Sequence, residues 1–93
     1  MRLLEGRALI ELAHAYLELG DLDQADAYIQ RALRVVRERG QRLAEGRALQ
    51  ALGLIRRAAG ERAAARAHWG AALELFTEIG TPEAADVQAL LTP

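Results

Sequence analysis

Cysteine, serine and lysine are all absent from these 93 residues, and each absence closes off a class of explanation. Without cysteine there is no disulfide, thiolate metal site or thiol nucleophile. Without serine, and with the acidic residues scattered over helix-surface positions, no nucleophile and base can be assembled. A non-enzymatic protein without a cofactor is the expectation. All twelve basic side chains are Arg, and because lysine codons are AT-rich the bias has the mark of a GC-rich bacterial genome. Charge of one sign is lacking too. Twelve Arg stand against 13 Asp plus Glu, so no overall field draws in nucleic acid or an anionic membrane. No apolar run approaches the roughly 18 residues that span a bilayer. The start, Met1-Arg2-Leu3-Leu4-Glu5, lacks the apolar stretch of a signal peptide. A soluble cytoplasmic protein of modest stability is expected at this size.

What is present is repetition. Glu5-Gly6-Arg7-Ala8-Leu9 returns as Glu45-Gly46-Arg47-Ala48-Leu49, and the same offset of 40 aligns Gly20 with Gly60 and Gly40 with Gly80. It also keeps Leu12/Leu52, Ala25/Ala65, Ala32/Ala72 and Leu33/Leu73. A fixed period of this size signals stacked supersecondary units.

Leu9, Leu12, Ala13, Tyr16 and Leu19 recur at steps of three and four and predict a buried face on a helix from Leu3 to Leu19. Gly20 supplies the stop, and Asp21 with Gln24 forms a capping box for a second helix reaching about Arg39. Its buried stripe reads Leu22, Ala25, Ile29, Ala32, Leu33 and Val36. Helix three is expected over about 42–59 with Leu49, Leu52, Gly53 and Leu54 inward. Helix four covers about 62–79 with Ala65, Trp69, Ala72, Leu73 and Phe76 inward. Thr81-Pro82-Glu83 starts a fifth helix to about Leu91, with Thr81 as its cap. The expected domain is therefore an all-α, right-handed stack over 1–93: repeat one at about 3–40, repeat two at about 42–80, and a cap helix at about 82–91.

Leu9-x-x-Leu12-Ala13-x-x-Tyr16-x-x-x-Gly20-Asp21-x-x-x-Ala25-x-x-x-Ile29-x-x-Ala32 resembles a tetratricopeptide repeat. So does Leu49-x-x-Leu52-Gly53-x-x-Arg56-x-x-x-Gly60-Glu61-x-x-x-Ala65-x-x-x-Trp69-x-x-Ala72. Arg56 stands where Tyr16 supplies an aromatic, which loosens one expected contact, and no Pro occurs at Arg37 or Thr77. The period resembles a longer-helix subclass found in bacterial regulatory ATPases and cell-polarity adaptors. Ala67 to Val87 is similar to the closing segment of bacterial antibiotic-regulatory transcription activators, in which a DNA-binding domain and an ATPase precede the repeats. The resemblance implies a protein-interaction module from a transcriptional regulator. It also implies a concave face lined by Arg7, Ile10, His14 and Leu17, then Arg47, Gln50, Leu54 and Arg57. Such a face suits a peptide or protein with acidic residues for the Arg and apolar anchors for Ile10, Leu17 and Leu54. The chaperone-tail clamp of the family is missing, since Ile10, His14 and Ala51 occupy its places.

Other readings carry less. Arg31, Arg34, Arg37, Arg39 and Arg42 form one basic stripe and Arg56, Arg57, Arg62 and Arg66 a second cluster. Interspersed acids and the lack of a stacking platform favour a solvated face over nucleic acid. His14 and His68 sit on different helices without carboxylate support, so no metal is expected. His14 reads as groove-lining, His68 as an outer-face residue. Two repeats are fewer than the three or so that usually stack stably, which leaves one face of helix one uncovered. Homodimerisation, or contact with further repeats, is the competing use of that surface.

Overall fold

The computed structural model describes residues 5–93. Among them the chain forms five helices, α1 (Gly6–Glu18), α2 (Leu22–Glu38), α3 (Arg42–Ala58), α4 (Arg62–Ile79) and α5 (Glu83–Leu91), and no strand. Each helix packs on the next, and α1 also touches α3, so two hairpins stack side by side and α5 closes the end. The result is a slab of 43 × 29 × 17 Å.

Gly20, Gly40, Gly60 and Gly80 all adopt left-handed φ, between 64° and 82°. That conformation is costly for any residue with a Cβ, which explains why the offset preserves glycine at all four turns. Asp21 accepts a hydrogen bond from the Gln24 backbone N–H at 3.1 Å, capping α2 as its sequence signals. Thr81 does not cap α5. Its hydroxyl donates instead to Glu83 Oε1 at 3.1 Å, and α5 begins one residue after Pro82 without a side-chain cap. At the other end α1 starts at Gly6 behind an extended Glu5, and the expected start at Leu3 lies outside the described residues.

The core follows the predicted stripes with identifiable exceptions. Leu9, Ala13, Ala25, Ile29, Ala32, Leu33, Val36, Leu49, Leu52, Ala65, Trp69, Ala72 and Phe76 are buried. Leu12, Tyr16, Leu22, Leu54 and Leu73 are half-buried. Leu19 is 77% exposed because it falls at the C-cap of α1, past the last turn that faces α2. Burial in α3 exceeds the expectation: Gly46, Ala48, Ala51 and Ile55 are also inside, since α3 is covered by α1, α2 and α4.

The repeated Glu-Gly-Arg-Ala-Leu phrase has a packing reason. A Cβ on Gly6 would stand 2.4 Å from Val36 Cγ1, and one on Gly46 would stand 2.5 Å from Phe76 Cε1. In each hairpin the glycine near the start of the first helix lets the end of the second helix close onto it, and Val36 and Phe76 hold equivalent places. Deeper in the hairpin, repeat one pairs Ala13 with Ile29 in equivalent buried positions, whereas repeat two has Gly53 and Trp69. The larger ring is matched by the smaller neighbour, conserving volume.

Candidate functional site

α1 and α3 run side by side and carry all eight residues expected on the concave face. Their starts enclose a groove of about 860 Å³ lined by Arg7, Ile10 and Arg47 together with Glu5, Gly6, Glu11, Gln41, Arg42, Leu43 and Ala44. Three of the predicted residues are thus brought together. Leu43 and Gln41 were missed as site residues, because the expected register on α3 began only at Arg47.

The arginines in this groove differ in freedom. Arg47 donates to both carboxylate oxygens of Glu83 on α5, at 2.7 and 2.9 Å. That forked bond raises the Arg47 pKa and, with a smaller contribution from the Thr81 hydroxyl, holds the Glu83 carboxyl below the ordinary carboxylate range. Arg42 is ion-paired with Glu78 of α4. Arg7 lies 3.6 Å from Glu11 one turn along its own helix, with both side chains largely exposed. An exposed pair of this kind is weak and exchangeable.

The apolar members sit lower than expected. Ile10 is only 7% exposed and forms part of the core rather than an open anchor, because α3 lies directly beside α1. Leu17 and Leu54 are half-buried against the same core, while Leu43 is a half-buried residue at the groove itself. His14, Leu17, Gln50 and Leu54 do not line the groove. Gln50 contributes through its backbone carbonyl, which accepts from Trp69 Nε1 at 3.1 Å. Arg57 stands over the Trp69 ring, 5.4 Å from its centroid, and lines a separate cavity with Arg62 and Arg66.

Arg56 does not leave a loosened contact. It donates to Asp26 of α2 at 2.8 Å and lies 3.7 Å from Glu61, so an ion pair across the repeat boundary replaces the aromatic. In repeat one the equivalent region holds Tyr16 stacked on Tyr28, with centroids 5.5 Å apart and rings nearly parallel. The Tyr28 equivalent is His68, which is half-buried, and its pKa is pushed down by burial first and then by Arg56 and Arg37. Of the basic stripe, Arg37 pairs with Glu45 at 3.0 Å and Arg31 lies over the Tyr28 ring. No helix among the described residues is long and apolar enough to cross a membrane.

Comparison with known families matches residues 4–87 to the tetratricopeptide repeat. Among curated proteins, the chain is 34% identical over 92 residues to "Regulatory protein AfsR" of Streptomyces griseus. That match covers 99% of this chain and 9% of the relative, so the chain spans a small part of the protein it resembles. No solved structure matches it.

Proposed function

The chain belongs to the tetratricopeptide repeat family, and from that premise we propose that it is a non-enzymatic protein-interaction module of a cytoplasmic bacterial regulator. It takes a peptide or protein partner on the surface formed by α1 and α3. The observation that carries this reading is the groove between the two helix starts, where the weakly engaged Arg7 stands beside Ile10 and Leu43. A partner carboxylate displaces Glu11 from Arg7 at little cost, and an apolar side chain settles on Leu43 above the floor made by Ile10. His14, Leu17, Gln50, Leu54 and Arg57 continue the contact surface along the two helices. The regulatory setting rests on the likeness to the Streptomyces regulatory protein.

The reading is tested by selecting from a displayed random peptide library against the folded chain. Peptides pairing an acidic residue with an apolar one should be enriched. Their binding should fall with Arg7→Glu, and it should persist with Arg34→Glu on α2. No enrichment, or equal binding to both variants, sinks the proposal.

A second reading, self-association, is favoured by one observation. Ala48, Ala51, Leu52 and Ile55 on α3 are buried, whereas their equivalents Ala8, Glu11, Leu12 and Ala15 on α1 are half-buried or exposed, with Leu19 beyond them. Light scattering over a wide concentration range decides it: a dimer that Leu19→Gln with Leu12→Gln dissociates supports this use of the face, and a monomer throughout removes it.

A further inference from the structure

We infer that Arg7 and Gln41 form a carboxylate subsite within the α1–α3 groove, which holds a glutamate side chain of the partner by a forked bond. The inference rests on the reading of that groove as a partner surface and names the chemistry that one part of it selects. Its template lies inside the chain.

The offset of 40 that aligns the repeats places Arg7 on Arg47, Gln41 on Thr81 and Leu43 on Glu83. In the second set the constellation is complete. Arg47 donates from Nε to Glu83 Oε2 at 2.7 Å and from Nη2 to Glu83 Oε1 at 2.9 Å, and the Thr81 hydroxyl donates to the same Oε1 at 3.1 Å. One carboxylate thus takes three donors, two from the first helix of a repeat and one from the turn that leads into the following helix.

In the first set the donors are kept and the carboxylate is not. Arg7 and Gln41 both line the groove, with Leu43 where the copy has its glutamate. Gln41 precedes α3 without capping it through its side chain, which reaches toward α1 instead. A Cβ on Gly6, the neighbour of Arg7, would stand 3.8 Å from Gln41 Oε1. A glutamine amide carries two N–H donors, so it can serve in the place of the Thr81 hydroxyl. The 3.6 Å between Arg7 and Glu11 is longer than a hydrogen bond. A carboxylate that takes two parallel bonds from the guanidinium therefore outcompetes it. Leu43 is half-buried, and its apolar surface suits the methylene stem of an incoming glutamate. Glu5 and Glu11 border the groove as well, so the surroundings oppose a string of acids and favour one carboxylate seated on Arg7.

Leu43→Glu supplies the missing carboxylate from within and probes the subsite without a partner. Its titration, followed by NMR in the folded chain, should place the new carboxyl below the ordinary glutamate value of about 4.3. Adding Arg7→Gln should raise it again, since the acids of the groove then act on it unopposed. In a second arm the parent chain is titrated with N-acetylglutamate amide at constant ionic strength, with N-acetylglutamine amide as the neutral control. The Gln41 side-chain N–H signals should shift saturably with the glutamate compound alone. Arg7→Gln should weaken that binding about tenfold, the loss of a charge-assisted bond, and Leu43→Glu should abolish it. If Leu43→Glu does not fold, the second arm decides. The subsite is overturned if the glutamate compound gives no saturable response or one matched by the glutamine compound, or if Arg7→Gln leaves the pKa of the carboxyl at position 43 unmoved. The partner reading fails separately: acidic peptides enriched without these effects leave it standing with its anion elsewhere, and a saturable subsite with no peptide enriched removes it while the subsite stands.

Discussion

The indole of Trp69 fills the space in which any side chain on Gly53 would stand: a Cβ there would lie 2.2 Å from Nε1 and 2.4 Å from Cδ1. The same indole N–H is bonded to the Gln50 carbonyl, so the ring cannot slide away without losing that bond. Gly53→Ala should therefore destabilise the fold by about 1–3 kcal/mol, even though alanine is the better helix former. Pairing it with Trp69→Ile recreates the Ala13 and Ile29 combination of repeat one. Urea unfolding of the double variant should show a loss smaller than the sum of the two single losses, and simple additivity would refute the volume exchange.

Gly70 is the control for that argument. It lies inside α4, and a Cβ built on it meets nothing within 4 Å. Gly70→Ala should raise stability by about 0.5–1 kcal/mol, chiefly by restricting the unfolded chain. A loss in the urea midpoint would contradict it.

Glu83 fastens α5 to α3 through Arg47, and the partly exposed setting of the pair limits its worth to about 0.5–1 kcal/mol. Folding lowers the pKa of this carboxyl, so its contribution is complete above the ordinary glutamate value of about 4.3 and drains away as pH falls through the folded value. Glu83→Gln should be less stable than the parent chain at neutral pH, and the difference should close on acidification. A gap that stays constant down to about pH 3 would speak against the pairing.

His68 titrates in the opposite chemical sense with the same dependence on pH. Its folded pKa lies below its ordinary value through burial, Arg56 and Arg37, so the unfolded chain takes up a proton first, near about 6.5. Stability should be full above that value and fall as the solution is acidified through the folded pKa. In His68→Gln the loss between about pH 7.5 and about pH 5.5, read by denaturant midpoints, should be smaller than in the parent chain.

The five helices, their glycine stops and most of the core were legible because they depend on short-range periodicity and on an internal copy against which to check it. What escaped was whatever depends on how one helix lies across another. Ile10 has the spacing of a surface residue on α1, yet the close passage of α3 buries it. Arg47 reads as a free groove cation until α5 carries Glu83 onto it. Arg56 reads as a lost aromatic until Asp26 is found across the repeat boundary. Leu19 fails differently: its helical period is right, but the helix ends beneath it and the side chain stays exposed.

α3 buries seven of its residues, while α1 buries four and α5 one. Contacts in the stack run mainly between neighbours, so losing α5 removes its boundary with α4 and losing α1 those with α2 and α3, whereas losing α3 separates the hairpins from each other. Local opening should therefore start at both margins and reach the middle last. Backbone amides of α3 should be the slowest in the chain to exchange with deuterated solvent, and those of α5 among the fastest, a gradient from the edges inward along one axis.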